Sequence, residues 1–215
     1  MAGSDGLSIH DRPNSYIGRS VPRPNLSRLL KGRGSYADDV KLPRMVHVAF
    51  LRSPLAHADI VKIETDKARS ASGVIAVYNG KDLAKVCSPW VGVVTHLEGM
   101  RSPPQNVLAV DRVRWQGEPV VAVVAQTRAL AEDAIELIEV KYKELPLAVD
   151  MKTALDDDTE VIHKEYENNL CWERNVNAGD VDAAFAEADV IVEEEFQFGR
   201  HTGVTLESRS IVADY

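Results

Sequence analysis

Cysteine is nearly missing from this sequence, and its scarcity excludes two kinds of site at once. Only Cys87 and Cys171 occur, far apart in the chain and neither with a second cysteine nearby. That leaves no zinc-ribbon or iron–sulfur spacing and no disulfide framework. A reducing compartment is the expectation. Long apolar runs are missing too: none approaches the roughly 18–20 residues of a membrane span. The N-terminal stretch MAGSDGLSIHDRPNSYIGRS lacks the apolar core of a signal peptide. A soluble, cytoplasmic protein that makes no membrane contact is therefore expected. Positive charge is also in deficit, with 33 acidic against 25 basic residues and a net charge of −8. Such a balance offers no footprint for a phosphate backbone, so no nucleic-acid partner is expected.

Familiar catalytic frames are absent as well. There is no Gly-x-Ser-x-Gly elbow, Walker loop, Cys-His dyad or carboxylate pair in a recognisable frame. The six histidines (His10, His47, His57, His96, His163 and His201) include no pair at i, i+2 or i, i+4, which removes the spacing a metal site needs. KGRGSYADD, residues 31–39, holds a G-x-G frame, but neither a preceding strand, a third glycine nor a following helix supports a nucleotide fingerprint. A glycine turn before a strand is the better reading.

What the chain does contain is enough for a substantial core: 215 residues, 45% of them apolar. Residues 1–29, rich in Ser, Pro, Asn, Gly and Arg, read as an extended leader. MVHVAFLRS and ADIVKIETD predict two strands with a turn at Ser53-Pro54. Thr65 or Asp66 caps a short helical turn that Gly73 ends, and VIAVYNG is the next strand, giving strand, crossover and strand. Residues 82–106 show no clear period and read as an excursion around a sheet edge. Two β-rich runs then flank Gln116-Gly117-Glu118-Pro119 as a hairpin-like turn. Val120 to Ala125 is apolar without alternation, the pattern of a strand covered on both faces. Thr127 caps an amphipathic helix with Leu130, Ala134, Ile135 and Ile138 on its apolar side, leading into the strand EVKYKEL. The architecture expected is layered α/β (α+β). A polar connector follows Pro146. After it come a short helix capped by Asp180 and alternating strands at Val190, Val192, Phe196 and Phe198, and then at SIVADY.

One stretch, FLRSPLAHADIVKIE, looks like a site, because His57 could act as a base and Arg52 as an anion clamp. No nucleophile or carboxylate stands at matching spacing. A corner fixed by Pro54, with side chains bonded to backbone, accounts for it better. Gly117 and Glu118 belong to the turn between strands, where a glutamate more often accepts backbone N–H groups than performs chemistry. His201, with Arg200 and Glu207, could approach a pocket, although a surface ion pair explains the cluster equally well.

The order of the blocks GRGSYADDVKLP, VAFLRSPLAHADI, SGVIAVYNGKDL, VRWQGEPVVAVVA, AEDAIELIEVKYKELP and GDVDAAFAEADVIVEEEF resembles the large, molybdopterin-binding subunits of the xanthine dehydrogenase, aldehyde oxidase and carbon monoxide dehydrogenase family. That resemblance covers roughly residues 30–215. It implies an α/β-hammerhead domain at 30–147, a connector at 148–169 and, at 170–215, the incomplete start of the molybdopterin-binding domain. It further implies an intact enzyme that hydroxylates a carbon of a purine, N-heterocycle, aldehyde or similar small substrate with oxygen from water. Molybdenum-molybdopterin would be its cofactor, with iron–sulfur clusters and FAD on partner subunits. The family's catalytic and cofactor-binding positions lie beyond the point matching Tyr215. Hence no catalytic, cofactor-binding or metal residue is assigned, and no cofactor is expected on this chain alone. Arg52, Pro54, His57, Gly117 and Glu118 stand as structural motif residues, with His201 and Glu207 as supports behind a cofactor loop. The expected role is an inactive N-terminal portion of such a subunit. The alternative is a short docking or assembly subunit of a split molybdenum hydroxylase.

Overall fold

The structure is a computed structural model that describes Tyr16 and residues 20–92, 96–199, 201–205 and 207–215. Most of the expected leader lies outside the described residues. The chain separates into two compact units, one formed by Arg44–Glu194 and one by Met1–Pro43 with Glu195–Tyr215.

Two three-stranded antiparallel sheets organise the larger unit. In the first, β5 (Pro119–Ala125) lies between β1 (His47–Arg52) and β3 (Val74–Asn79). In the second, β2 (Ala58–Glu64) lies between β4 (Arg112–Val113) and β6 (Glu139–Glu144). The uninterrupted apolar run of β5 is what a central strand needs. Val120, Val121, Val123 and Ala125 are fully buried and Ala122 nearly so. Each buried valine contributes on the order of 1.5–3 kcal/mol relative to exposure.

Helix α4 (Arg128–Ile135) covers the first sheet, with Ala131 and Ala134 buried in the same core as Val121 and Val123. Small residues at those positions let the helix approach the strands closely. The Thr127 hydroxyl caps it, accepting the Leu130 N–H at 3.2 Å. Two one-turn helices, α2 (Asp66–Arg69) and α3 (Gly80–Leu83), flank β3. Thr65 precedes α2 but does not cap it; its hydroxyl instead accepts from Arg69 Nε at 3.0 Å.

Several sequence expectations are corrected here. Gln116–Pro119 is not a hairpin turn, because β4 pairs with β2 while β5 pairs with β1 and β3. The chain therefore changes sheets at this point. The same holds at Ser53-Pro54, which joins strands of different sheets, and along β2–α2–β3, which is no crossover within one sheet. The excursion at 82–106 is closed by an isolated bridge between Trp90 and Gln105. Residues 190–199 and 207–215 form no strand among the described residues, although they alternate. Val190, Val192, Phe196 and Phe198 stand 77–84% exposed with no strand beside them. Alternation marks a surface suited to a sheet, whereas a strand also needs a neighbour to bond.

Short helix α5 (Val181–Glu187) closes the described secondary structure, and Asp180 caps it by accepting the Ala183 N–H at 3.0 Å. Asn169 organises the segment before it: the side chain donates to the carbonyls of Ala154 and Glu160 and accepts the Ile162 N–H, all at 3.0 Å. In the smaller unit, helix α1 (Leu26–Leu30) occupies part of the expected leader, and Gly32, at φ +65°, ends it. Consequently the G-x-G frame follows a helix and precedes a 3-10 turn at Ala37–Asp39, not a strand.

Candidate functional site

The corner after β1 closes against the turn before β5. Ser53 donates its N–H to the Glu118 carbonyl at 2.9 Å, and Gly117 returns an N–H to the Ser53 carbonyl at 2.8 Å. Gly117 holds φ +93°, a conformation that a side chain would strain. Arg52 Nη1 donates to the Gly117 carbonyl at 2.9 Å, and its guanidinium lies 5.9 Å from the centre of the Phe50 ring. The buried Ser53 hydroxyl accepts the Leu55 N–H at 3.1 Å across Pro54. Proline fits between them because its missing N–H has no partner to lose.

Glu118 folds its carboxylate back onto its own turn, where Oε2 accepts the Arg114 N–H at 2.6 Å. Burial pushes its pKa above the ordinary carboxylate value, and the Arg114 backbone N–H and guanidinium offset part of that rise. A carboxyl raised in this way takes up its proton more readily folded than unfolded. Its contribution to stability is therefore full below the unfolded pKa and is lost as pH rises through the folded one. For Glu118→Gln, urea midpoints between about pH 4 and about pH 7 should fall less steeply with pH than those of the parent chain. Equal slopes would remove Glu118 as the cause.

His57 is 2% exposed. Its Nδ1 lies 2.7 Å from the Pro146 carbonyl, and its own carbonyl accepts the Leu145 N–H at 3.0 Å. Carbonyl oxygens only accept, so Nδ1 carries the hydrogen. In β2, which begins just after His57, Asp59 accepts from Arg112 Nε at 2.7 Å, and that bond holds its carboxyl below the usual range. His163 is held below the ordinary imidazole value by burial and then by the nearby Arg114 charge, with Glu165 opposing them.

Thus Arg52, Pro54, Gly117 and Glu118 come together in one joint. His57 lies one strand end away, fastened to the exit of β6. The hydrogen bonds of Arg52, Glu118 and His57 Nδ1 go to backbone groups of the same unit, and the Ser53 hydroxyl is bonded to Leu55. In the smaller unit the Glu207 carboxylate accepts the Ala37 N–H at 2.7 Å, whereas His201 Nδ1 faces the Gly199 carbonyl at 3.4 Å. Arg200, the third member of that cluster, lies outside the described residues. Sequence reasoning missed Arg114 and the Pro146 carbonyl, because nothing local announces a partner 89 positions away. The turn at Ser53-Pro54 was legible, since a serine before proline is a turn signal.

Among the described residues no three His, Cys, Asp or Glu side chains gather to hold a metal. Nor do His201 and Glu207 form a cradle: both residues are exposed and engage different backbone groups. These residues do not fit a molybdenum cofactor by themselves, and no step of its chemistry is derived from them.

Paired three-stranded sheets with a helix on one of them define a mixed α/β domain of the hammerhead class. A family model described as aldehyde oxidase and xanthine dehydrogenase, a/b hammerhead domain, matches residues 31–146. A second, described as molybdopterin cofactor-binding domain, matches residues 162–215. The chain belongs to the aldehyde oxidase and xanthine dehydrogenase family. It is 37% identical to the nicotine 6-hydroxylase large subunit of Paenarthrobacter nicotinovorans over 95% of its own length and 26% of that protein's. It is 34% identical to the carbon monoxide dehydrogenase large chain of Afipia carboxidovorans over 86% and 24%. The chain thus spans about a quarter of these curated relatives. Among solved structures, quinoline 2-oxidoreductase from Pseudomonas putida 86 shares 41% identity at a TM-score of 0.65, covering 72% of this chain and 20% of that one. The Cu,Mo-CO dehydrogenase in its carbon monoxide reduced state shares 35% at a TM-score of 0.63, covering 80% and 23%.

Proposed function

We propose that this chain is the N-terminal portion of a molybdenum hydroxylase large subunit. Residues 30–147 would be its hammerhead domain, 148–169 the connector and 170–215 the opening of the molybdopterin-binding domain. The observation that carries this is the succession of the two family matches along a chain that covers about a quarter of its relatives. The intact cytoplasmic enzyme would hydroxylate a carbon centre of a small substrate, taking oxygen from water. A purine, an aldehyde or an N-heterocycle fits this class, and relatives named for nicotine and quinoline favour the last. Electrons would leave through iron–sulfur and FAD subunits. When bound, the molybdenum-molybdopterin group would supply the redox chemistry, and residues outside this chain would hold it.

No helix among the described residues is long and apolar enough to cross a membrane. Within such an enzyme, Arg52, Pro54, His57, Gly117 and Glu118 would keep the two sheets joined, and Glu207 would tie the chain's two ends through Ala37. Metal analysis and pterin extraction on the purified 215-residue chain test the proposal. No stoichiometric molybdenum is expected, and one molybdenum per chain would overturn the assignment of the cofactor to residues elsewhere.

A further inference from the structure

Two buried side-chain nitrogens among the described residues have no hydrogen-bond partner, His57 Nε2 and Arg114 Nε. They belong to one place in the fold. Strand β2 pairs with β4 through Ala58 with Val113 and Asp59 with Arg112, and continuing that antiparallel register sets His57 opposite Arg114. Residues opposed in this way present their side chains on the same face of a sheet. His163 lies within electrostatic reach of both residues.

The hydrogen-bonding demands of the two atoms are complementary. In the tautomer with its hydrogen on Nδ1, directed at the Pro146 carbonyl, Nε2 is a lone-pair acceptor. Arg114 Nε is a donor and cannot accept. The nearby carboxylates make their bonds with other groups. Asp59 takes Arg112, Glu160 takes Lys164, and the Oε2 of Glu118 takes the backbone N–H of Arg114 itself.

We infer that His57 Nε2 and Arg114 Nε form a binding site for one internal water molecule, which donates to the imidazole and accepts from the guanidinium. The choice of ligand follows from the atoms. A carboxylate or halide cannot donate to Nε2 and a metal cation cannot accept from an N–H, while water does both at once. Buried polar groups left without partners are costly, and internal waters ordinarily answer them with two to four bonds. The site makes His57 a three-way link. It joins the corner after β1, the end of β6 at Pro146, and the turn that carries Glu118.

Two-bond nitrogen–proton correlation spectra of the full 215-residue chain, labelled with 15N in histidine, test this directly. The expected result is a His57 ring protonated at Nδ1, with its Nε2 signal moved away from the unbonded position and a cross-peak from the ring proton beside Nε2 to slowly exchanging water. Arg114→Met, which keeps the apolar stem but removes the donor, should weaken or abolish that cross-peak. Three results would overturn the inference: hydrogen on Nε2, an Nε2 signal at its unbonded position, or a displaced Nε2 signal with no water cross-peak, which would mean a direct bond to Arg114. The first measurement needs no variant, so it decides the matter even if Arg114→Met fails to fold.

Discussion

Replacing Gly80 with alanine lowers the thermal midpoint of the chain by roughly 6–12 °C, the equivalent of about 3 kcal/mol in a chain of this size. A β-carbon at this position would lie 2.1 Å from the Ala109 carbonyl oxygen, 2.6 Å from its carbon and 2.8 Å from the Val110 α-carbon. All three are backbone atoms, so no side chain can swing aside. The backbone there is itself committed, since the Ala109 N–H bonds to the Pro119 carbonyl at the start of β5. From the other side, Gly80 is fixed by the capping box between Asn79 and Asp82, two reciprocal bonds of 3.1 Å each. Scanning calorimetry measures the shift. Gly99→Ala serves as a control, because it puts alanine at φ +78° with nothing within 4 Å and should cost only the backbone strain, about 1–2 kcal/mol. A midpoint for Gly80→Ala no lower than that of the control would show that the 108–110 segment yields freely.

His57→Ala has the second large effect, a loss on the order of 3–4 kcal/mol read from urea unfolding. The substitution empties a fully buried volume and strips the Pro146 carbonyl of its donor. His57→Asn, whose amide can reach the same carbonyl, should recover part of the loss. That ordering, parent above asparagine above alanine, separates the lost hydrogen bond from the lost volume. Alanine and asparagine variants of equal stability would mean the bond to Pro146 contributes nothing. In an intact enzyme, a His57 variant that kept its stability yet lost turnover would make the histidine part of the chemistry.

Much of the larger unit was legible because local pattern and tertiary environment agree there. Val120–Ala125 reads as a doubly covered strand and becomes the centre of its sheet, and Thr127 reads as a cap and does cap. What local pattern does not carry is partnership. The stretch from Val113 to Pro119 looks like a hairpin because it holds a glycine turn between β-rich runs. Yet Gly117 and Glu118 turn the chain from one sheet into another, a choice made by residues tens of positions away. Val190–Phe198 carries the alternation of a strand without a neighbour to complete it. The joint around Arg52 was hidden in a different way. Its residues were identified, but the Gly117 carbonyl that receives Arg52 and the Pro146 carbonyl that receives His57 are backbone atoms, for which side-chain identity offers no signal.

The position of β5 between β1 and β3 also governs how this chain must emerge from a ribosome. Both outer strands of that sheet are synthesised before their common partner, so neither can complete its native ladder until Ala125 has appeared. At synthesis rates of about 5–20 residues per second, the wait after β3 lasts about 2–9 s. During that interval Val48, Phe50 and Tyr78 belong to strands with open edges, the state most prone to pairing with another nascent chain. Slowing translation between Asn79 and Pro119 would lengthen that exposure, while slowing it after Ala125 would leave the sheet time to close.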